Sequence, residues 1–190
     1  VTARVLTESD ASESAIKQVN NPEYMHIATH GFFLEDKSAT NKVFGVQVDY
    51  ANDNPLLRSG LMLAGASEEV QGQSFDGEDN GILTAYEALN LPLSKTQLVV
   101  LSACETGKGE IQSGEGVYGL QRAFMVAGAK TMVMSLWKVD DAATQELMSS
   151  FYANMMVKKQ PLRTAFRNAQ LETMKSYEHP YYWGAFVLVQ

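Results

Sequence analysis

Gln97-Leu98-Val99-Val100-Leu101-Ser102-Ala103 runs straight into Cys104 and then into the loop Glu105-Thr106-Gly107-Lys108-Gly109. Its apolar residues are continuous rather than alternating, the pattern of a strand covered on both faces. Other apolar runs bounded by turn residues recur at 4–6, 24–29, 60–63, 131–137 and 183–189. Helical patterns lie between them. Ala15, Ile16 and Val19 share one face, Val117, Leu120, Phe124 and Ala127 another, and Leu147, Phe151 and Met155 a third. Thr84 and Glu87 are spaced as a capping box, and Gly128 suits a helix stop. Pro161 suits the first turn of a helix bearing Leu162, Ala165, Phe166 and Ala169. Strands alternating with helices predict an α/β sandwich, with a mostly parallel central sheet and helices on both faces.

The bulk numbers agree with one domain spanning residues 1–190. Hydrophobic residues make up 45% and charged residues 19%, an ordinary globular balance. A formal charge of -7 repels a phosphate backbone, so nucleic acid is not an expected direct ligand. Neither a bilayer-spanning apolar run nor a signal-peptide layout is present, which favours a cytoplasmic protein off the membrane. The chain opens at Val1 and enters a strand-like run at once, as a domain cut from a larger polypeptide would. Residues 35–59 and 65–81 are rich in Asp, Asn, Ser, Glu and Gly and read as long surface loops or a small hairpin insertion.

The single cysteine cannot form an internal disulfide or a thiolate zinc cluster, so its use is packing or reactivity. The run Tyr24-Met25-His26-Ile27-Ala28-Thr29 leads into His30-Gly31 just as 97–103 leads into Cys104. Both residues therefore stand at the carboxyl ends of strands, the rim where open parallel sheets bind ligands. A thiolate nucleophile with an imidazole that delivers a proton to the leaving group needs that juxtaposition. Gly31 would let backbone approach a substrate, and its amide could join that of Cys104 in an oxyanion hole. The plainer alternative is a packed cysteine and a structural histidine.

His26-Ile27-Ala28-Thr29-His30-Gly31-Phe32 and Leu101-Ser102-Ala103-Cys104-Glu105-Thr106-Gly107 resemble the two active-site signatures of the CHAT domain, a relative of caspases, separases and gingipains. The likeness continues through Gly114-Glu115-Gly116, Ala127-Gly128-Ala129, Ser135-Leu136-Trp137-Lys138-Val139-Asp140-Asp141 and His179-Pro180-Tyr181-Tyr182-Trp183-Gly184-Ala185-Phe186. The resemblance implies a caspase-like three-layer sandwich and a cysteine endopeptidase. His30 and Cys104 would be its dyad and the amides of Gly31 and Cys104 its oxyanion hole, with no cofactor. It also implies a protein substrate and a regulatory partner or adjoining domain, tetratricopeptide repeats being a common one. Two rivals stay open: a caspase-fold binding module without turnover, and a thiol hydrolase or transferase acting on small acyl esters.

Caspases carry glutamine before and arginine after their cysteine, whereas Cys104 follows Ser102-Ala103 and precedes Glu105. The resemblance therefore does not carry over a preference for aspartate. Asp140 and Asp141 follow the strand that ends in Trp137, itself a candidate for substrate contact, and precede a helix. They read as helix caps or as the wall of a substrate pocket, in which case they would favour Arg or Lys before the scissile bond. His26 could join His30 in a two-histidine metal pair, but no acid stands close in sequence to complete it, and a core histidine is the simpler reading. His179 reads as a loop residue at the start of the last strand. Asp76, Glu78, Asn80, Gly81 and Glu87 nearly follow a calcium loop, yet the third position is Glu and Glu87 already has a capping role. No metal is expected.

Overall fold

The strand that decides the fold, Leu98–Leu101, is buried along its whole length, and its alternate residues serve two separate cores. Leu98 and Val100 pack with Leu147, Phe151 and Phe166, while Val99 and Leu101 pack with Ile16, Phe124 and Met132. A period of two with apolar residues on both faces is what a sheet sandwiched between helices requires. A computed structural model of the chain describes residues 3–33, 42–43, 46–47, 55–66, 80–102, 104–105 and 115–190.

The strands in chain order are β1 (Tyr24–Ile27), β2 (His30–Phe33), β3 (Lys42–Val43), β4 (Val46–Gln47), β5 (Ser59–Met62), β6 (Ile82–Thr84), β7 (Leu98–Leu101), β8 (Cys104–Glu105), β9 (Met132–Ser135) and β10 (Phe186–Val189). The helices are α1 (Glu13–Lys17), α2 (Ala85–Ala88), α3 (Glu115–Val126), α4 (Asp141–Tyr152), α5 (Leu162–Ser176) and α6 (Pro180–Trp183). The central sheet has the order β1-β7-β9-β10, parallel except for β10 at its edge. A second sheet, β6-β5-β2-β8, pairs β2 with β8 in parallel and β5 against both β2 and β6 antiparallel. Helices α1 and α3 contribute to the core on one face of the central sheet, α4 and α5 to that on the other. This is the mixed α/β sandwich, mostly parallel at its centre, that the sequence predicts. The strands β3 and β4 form a small antiparallel pair inside the 35–59 insertion.

The two sheets are joined by two strands that continue from one into the other. Tyr24 pairs with Leu98 and Ile27 with Leu101; three positions further on in each chain segment, His30 pairs with Cys104. Each partner lies 74 positions further along the chain in all three pairs. The register is therefore unbroken. Ser102 N donates to Ile27 O at 3.0 Å inside the joint, and Thr29 Oγ1 donates to Met62 O.

Local signals set the helix ends. The Thr84/Glu87 capping box is complete: Glu87 N donates to Thr84 Oγ1 at 3.2 Å and Thr84 N to Glu87 Oε2 at 2.9 Å. Gly128 ends the α3 segment at φ +111°, and a Cβ there would lie 2.6 Å from Ser94 Cα, so glycine is required on both counts. Three expectations fail locally. Residues 4–6 are not a strand: Val5 is 78% exposed and no strand among the described residues pairs with it. The aromatic start of the last predicted strand is the helix α6, which His179 caps by accepting from Tyr181 N at 3.1 Å. The helix through Met155 leaves α-geometry after Tyr152 and becomes a π turn, Ala153–Val157.

A charged cluster ties α1 to the second sheet. Glu13 is completely buried; its Oε1 lies 2.5 Å from Lys17 Nζ, and its Oε2 accepts from Asn80 N at 2.9 Å. Lys17 Nζ also reaches Glu87 Oε1 at 2.9 Å. Burial raises the Glu13 pKa above the ordinary carboxylate value. Burial works against charge in Glu87 and Lys17 too, but there the hydrogen bonds outweigh it: Glu87 is held low by Lys17 and Thr84, and Lys17 is held high by Glu13 and Glu87.

Candidate active site

Because β7 and β1 are parallel and in constant register, their continuations place His30 and Cys104 side by side on adjacent strands, the first paired positions beyond the joint. Neighbouring strands lie about 4.8 Å apart, so the two backbones are as close as sheet geometry permits. His30 is exposed. Gly31, the next residue, is buried between Leu61 of β5 and Glu105 of β8.

The third parallel strand, β9, ends at the same side of the central sheet, and residues 136–141 emerge there. Asp140 is the N-cap of α4, its Oδ1 accepting from Ala143 N at 2.9 Å. Asp141 is exposed in the first turn, where a carboxylate also complements the helix dipole. Trp137 is partly buried against the α4/α5 core and donates from Nε1 to Tyr181 O at 3.1 Å. The capping role thus occupies Asp140 and leaves the Asp141 carboxylate facing solvent.

His26 is not the core histidine expected from its strand. It keeps part of its ring exposed at the sheet edge, where Nε2 lies 2.8 Å from Ser102 Oγ and Nδ1 lies 2.9 Å from the Tyr152 hydroxyl. Atoms packed around the ring desolvate it and lower its pKa. The same packing pushes the Tyr152 hydroxyl up to about 12. The sequence reading passed over Ser102 and Tyr152 as participants. The two matching runs that lead into His30 and Cys104 were the signal for the first; nothing local marks the second. Among the described residues no group of three or more His, Cys, Asp or Glu gathers as a metal site. Of the calcium-like pattern, Asp76 and Glu78 lie outside the described residues, while Asn80 and Glu87 are engaged with Glu13, Ile82, Thr84 and Lys17.

A family model described as the CHAT domain matches residues 1–190. The chain belongs to the CHAT domain family. This CHAT domain is also similar to tetratricopeptide repeat protein 28 of Mus musculus, 33% identical over 111 residues, and to that of Homo sapiens, 31% identical over 134 residues. Those alignments cover 57% and 65% of the chain but only 4% and 5% of the relatives, so it spans a small part of their length. No helix among the described residues is long and apolar enough to cross a membrane.

Proposed function

We propose that this CHAT domain is a cysteine endopeptidase, and the observation that carries the reading is the register pairing of His30 with Cys104 at the end of two parallel strands. In the reaction, His30 takes the thiol proton and the Cys104 thiolate attacks the carbonyl carbon of a peptide bond. The tetrahedral oxyanion is bound by the amides of Gly31 and Cys104. Its collapse breaks the C–N bond, and His30 passes its proton to the leaving amine. Water, deprotonated by His30, then hydrolyses the thioester and restores the thiol. Trp137 and Asp141 line the approach to the substrate, and Asp141 favours Arg or Lys before the cut; Asp140 contributes mainly by fixing the helix end.

The domain acts as one module of a longer polypeptide, regulated by an adjoining domain or partner, and the names of its relatives make tetratricopeptide repeats the leading choice. The second reading is a caspase-fold module that binds a protein partner without turnover. A peptidyl warhead separates the two. Under the peptidase reading it labels the wild-type chain at Cys104, fails on Cys104→Ala, and loses rate in His30→Ala; N-terminal proteomics of a treated lysate then finds cleavage sites absent with Cys104→Ala. Cleavage persisting in Cys104→Ala would sink the reading.

A further inference from the structure

Tyr152, His26 and Ser102 form a hydrogen-bonded chain for which the reaction above has no use. Three elements meet in it: α4 ends at Tyr152, β1 carries His26, and Ser102 stands in the joint between β7 and β8. The His26 and Tyr152 rings are tilted by 35° with centroids 5.7 Å apart. Directly after Tyr152 the helix widens into the π turn, where Lys158 N donates to Ala153 O at 3.0 Å. Such turns are uncommon and concentrate at functional sites.

Two other roles fit poorly. A serine nucleophile would make His26 cationic, yet a tyrosine rather than a carboxylate faces its Nδ1 and the surrounding atoms disfavour the charge. The Ser102 amide is already spent on Ile27 O, so it cannot bind an oxyanion. A metal would need further ligands, and the described residues gather none.

The location points elsewhere. The pairing of β1 with β7 runs to Ile27 and Leu101, and that of β2 with β8 begins at His30 and Cys104. Ser102 carries the ladder's bond to Ile27 O on its amide and the contact with His26 on its hydroxyl, and it stands two residues upstream of Cys104. We propose that Tyr152 and His26 are positioning residues for Cys104, acting through Ser102. The inference rests on the peptidase reading for its effect on turnover, but not for its effect on the thiol.

The chain has one cysteine, so alkylation reports Cys104 without ambiguity. The experiment measures the rate constant of iodoacetamide reaction from pH 5 to 9, with thermal unfolding, for the full chain and its variants. Tyr152→Phe and Ser102→Ala are expected to slow alkylation at pH 7 about fivefold and to move the profile to higher pH, the scale set by loss of one hydrogen bond. Ser102→Thr keeps the hydroxyl and restores the wild-type profile. A purely structural role would instead lower the unfolding temperature and leave or speed alkylation, because loosening exposes the thiol. Should Tyr152→Phe unfold, His26→Gln makes the same comparison. Profiles that superimpose on wild type, or Ser102→Thr behaving like Ser102→Ala, overturn the proposal. A chain that shows the expected pattern but cleaves no peptide keeps the positioning role and loses the peptidase reading.

Discussion

Replacing Lys17 with methionine removes the cation between Glu13 and Glu87 while keeping the length of the side chain. Two contacts disappear, at 2.5 and 2.9 Å, and Glu13 is left as a buried carboxylate whose remaining polar partner is Asn80 N. Breaking a fully buried ion pair costs about 3–5 kcal/mol, but Lys17 and Glu87 are each about one-third exposed, so water screens part of the loss. A ceiling also exists. A stranded Glu13 can take up a proton, which at pH 7 costs about 3.4 kcal/mol against an ordinary value of 4.5, and the wild type already bears some of that because its Glu13 is raised. The expected loss is therefore about 2–3 kcal/mol, equivalent to a fall in unfolding temperature of roughly 8 °C for a chain of this size. It should shrink as pH falls toward 4.5, because Glu13, raised in the fold, takes up its proton and the lysine has one carboxylate less to neutralise. Urea unfolding of Lys17→Met at pH 7 and pH 5 measures both terms. A loss under about 0.5 kcal/mol at pH 7, or one that grows toward pH 5, would refute the reasoning.

Glu13→Gln should gain on the wild type as pH rises from about 4.5 to 7: a raised folded pKa gives stability that is complete below the unfolded value and lost above it, and Gln has none to lose. Glu87, held low, works the other way, so Glu87→Gln should cost most above pH 4.5 and least below it, read from the same unfolding curves. Gly128→Ala must force a positive φ and a 2.6 Å contact, and should cost about 2 kcal/mol or more in chemical unfolding. Asp140→Ala should cost about 1 kcal/mol of stability through the lost cap, while Asp141→Asn costs only the helix-dipole share, about 0.5 kcal/mol, and weakens any preference for Arg or Lys before the cut in a positional peptide library; a preference untouched by Asp141→Asn removes that residue from the substrate pocket.

The central strands could be read from the sequence because burial on both faces leaves an uninterrupted apolar run, and Leu98 to Leu101 has no other use for one. Caps were legible for a similar reason. Thr84, Glu87, Asp140 and Gly128 each answer a local backbone need that does not depend on distant residues. His30 and Cys104 could be assigned to strand ends, but their pairing needs a register between strands 74 positions apart, which no local pattern states. The failures share that cause. Arg4, Val5 and Leu6 lie in a strand-like run with no partner strand among the described residues, His26 alternates correctly yet lies on an edge strand, and Tyr152 meets His26 because of where α4 docks.

The constant spacing of the two long strands has an evolutionary corollary. His30 is three residues beyond Ile27, and Cys104 is three beyond Leu101. A residue inserted into either joint would slide one strand past the other by a single step and turn the inserted strand's later side chains to the opposite face. Only a matching insertion in the other joint would bring the histidine and cysteine back abreast. The connections elsewhere are free to lengthen without such compensation, so the domain can accept large insertions near its rim while these two short stretches change length together or not at all.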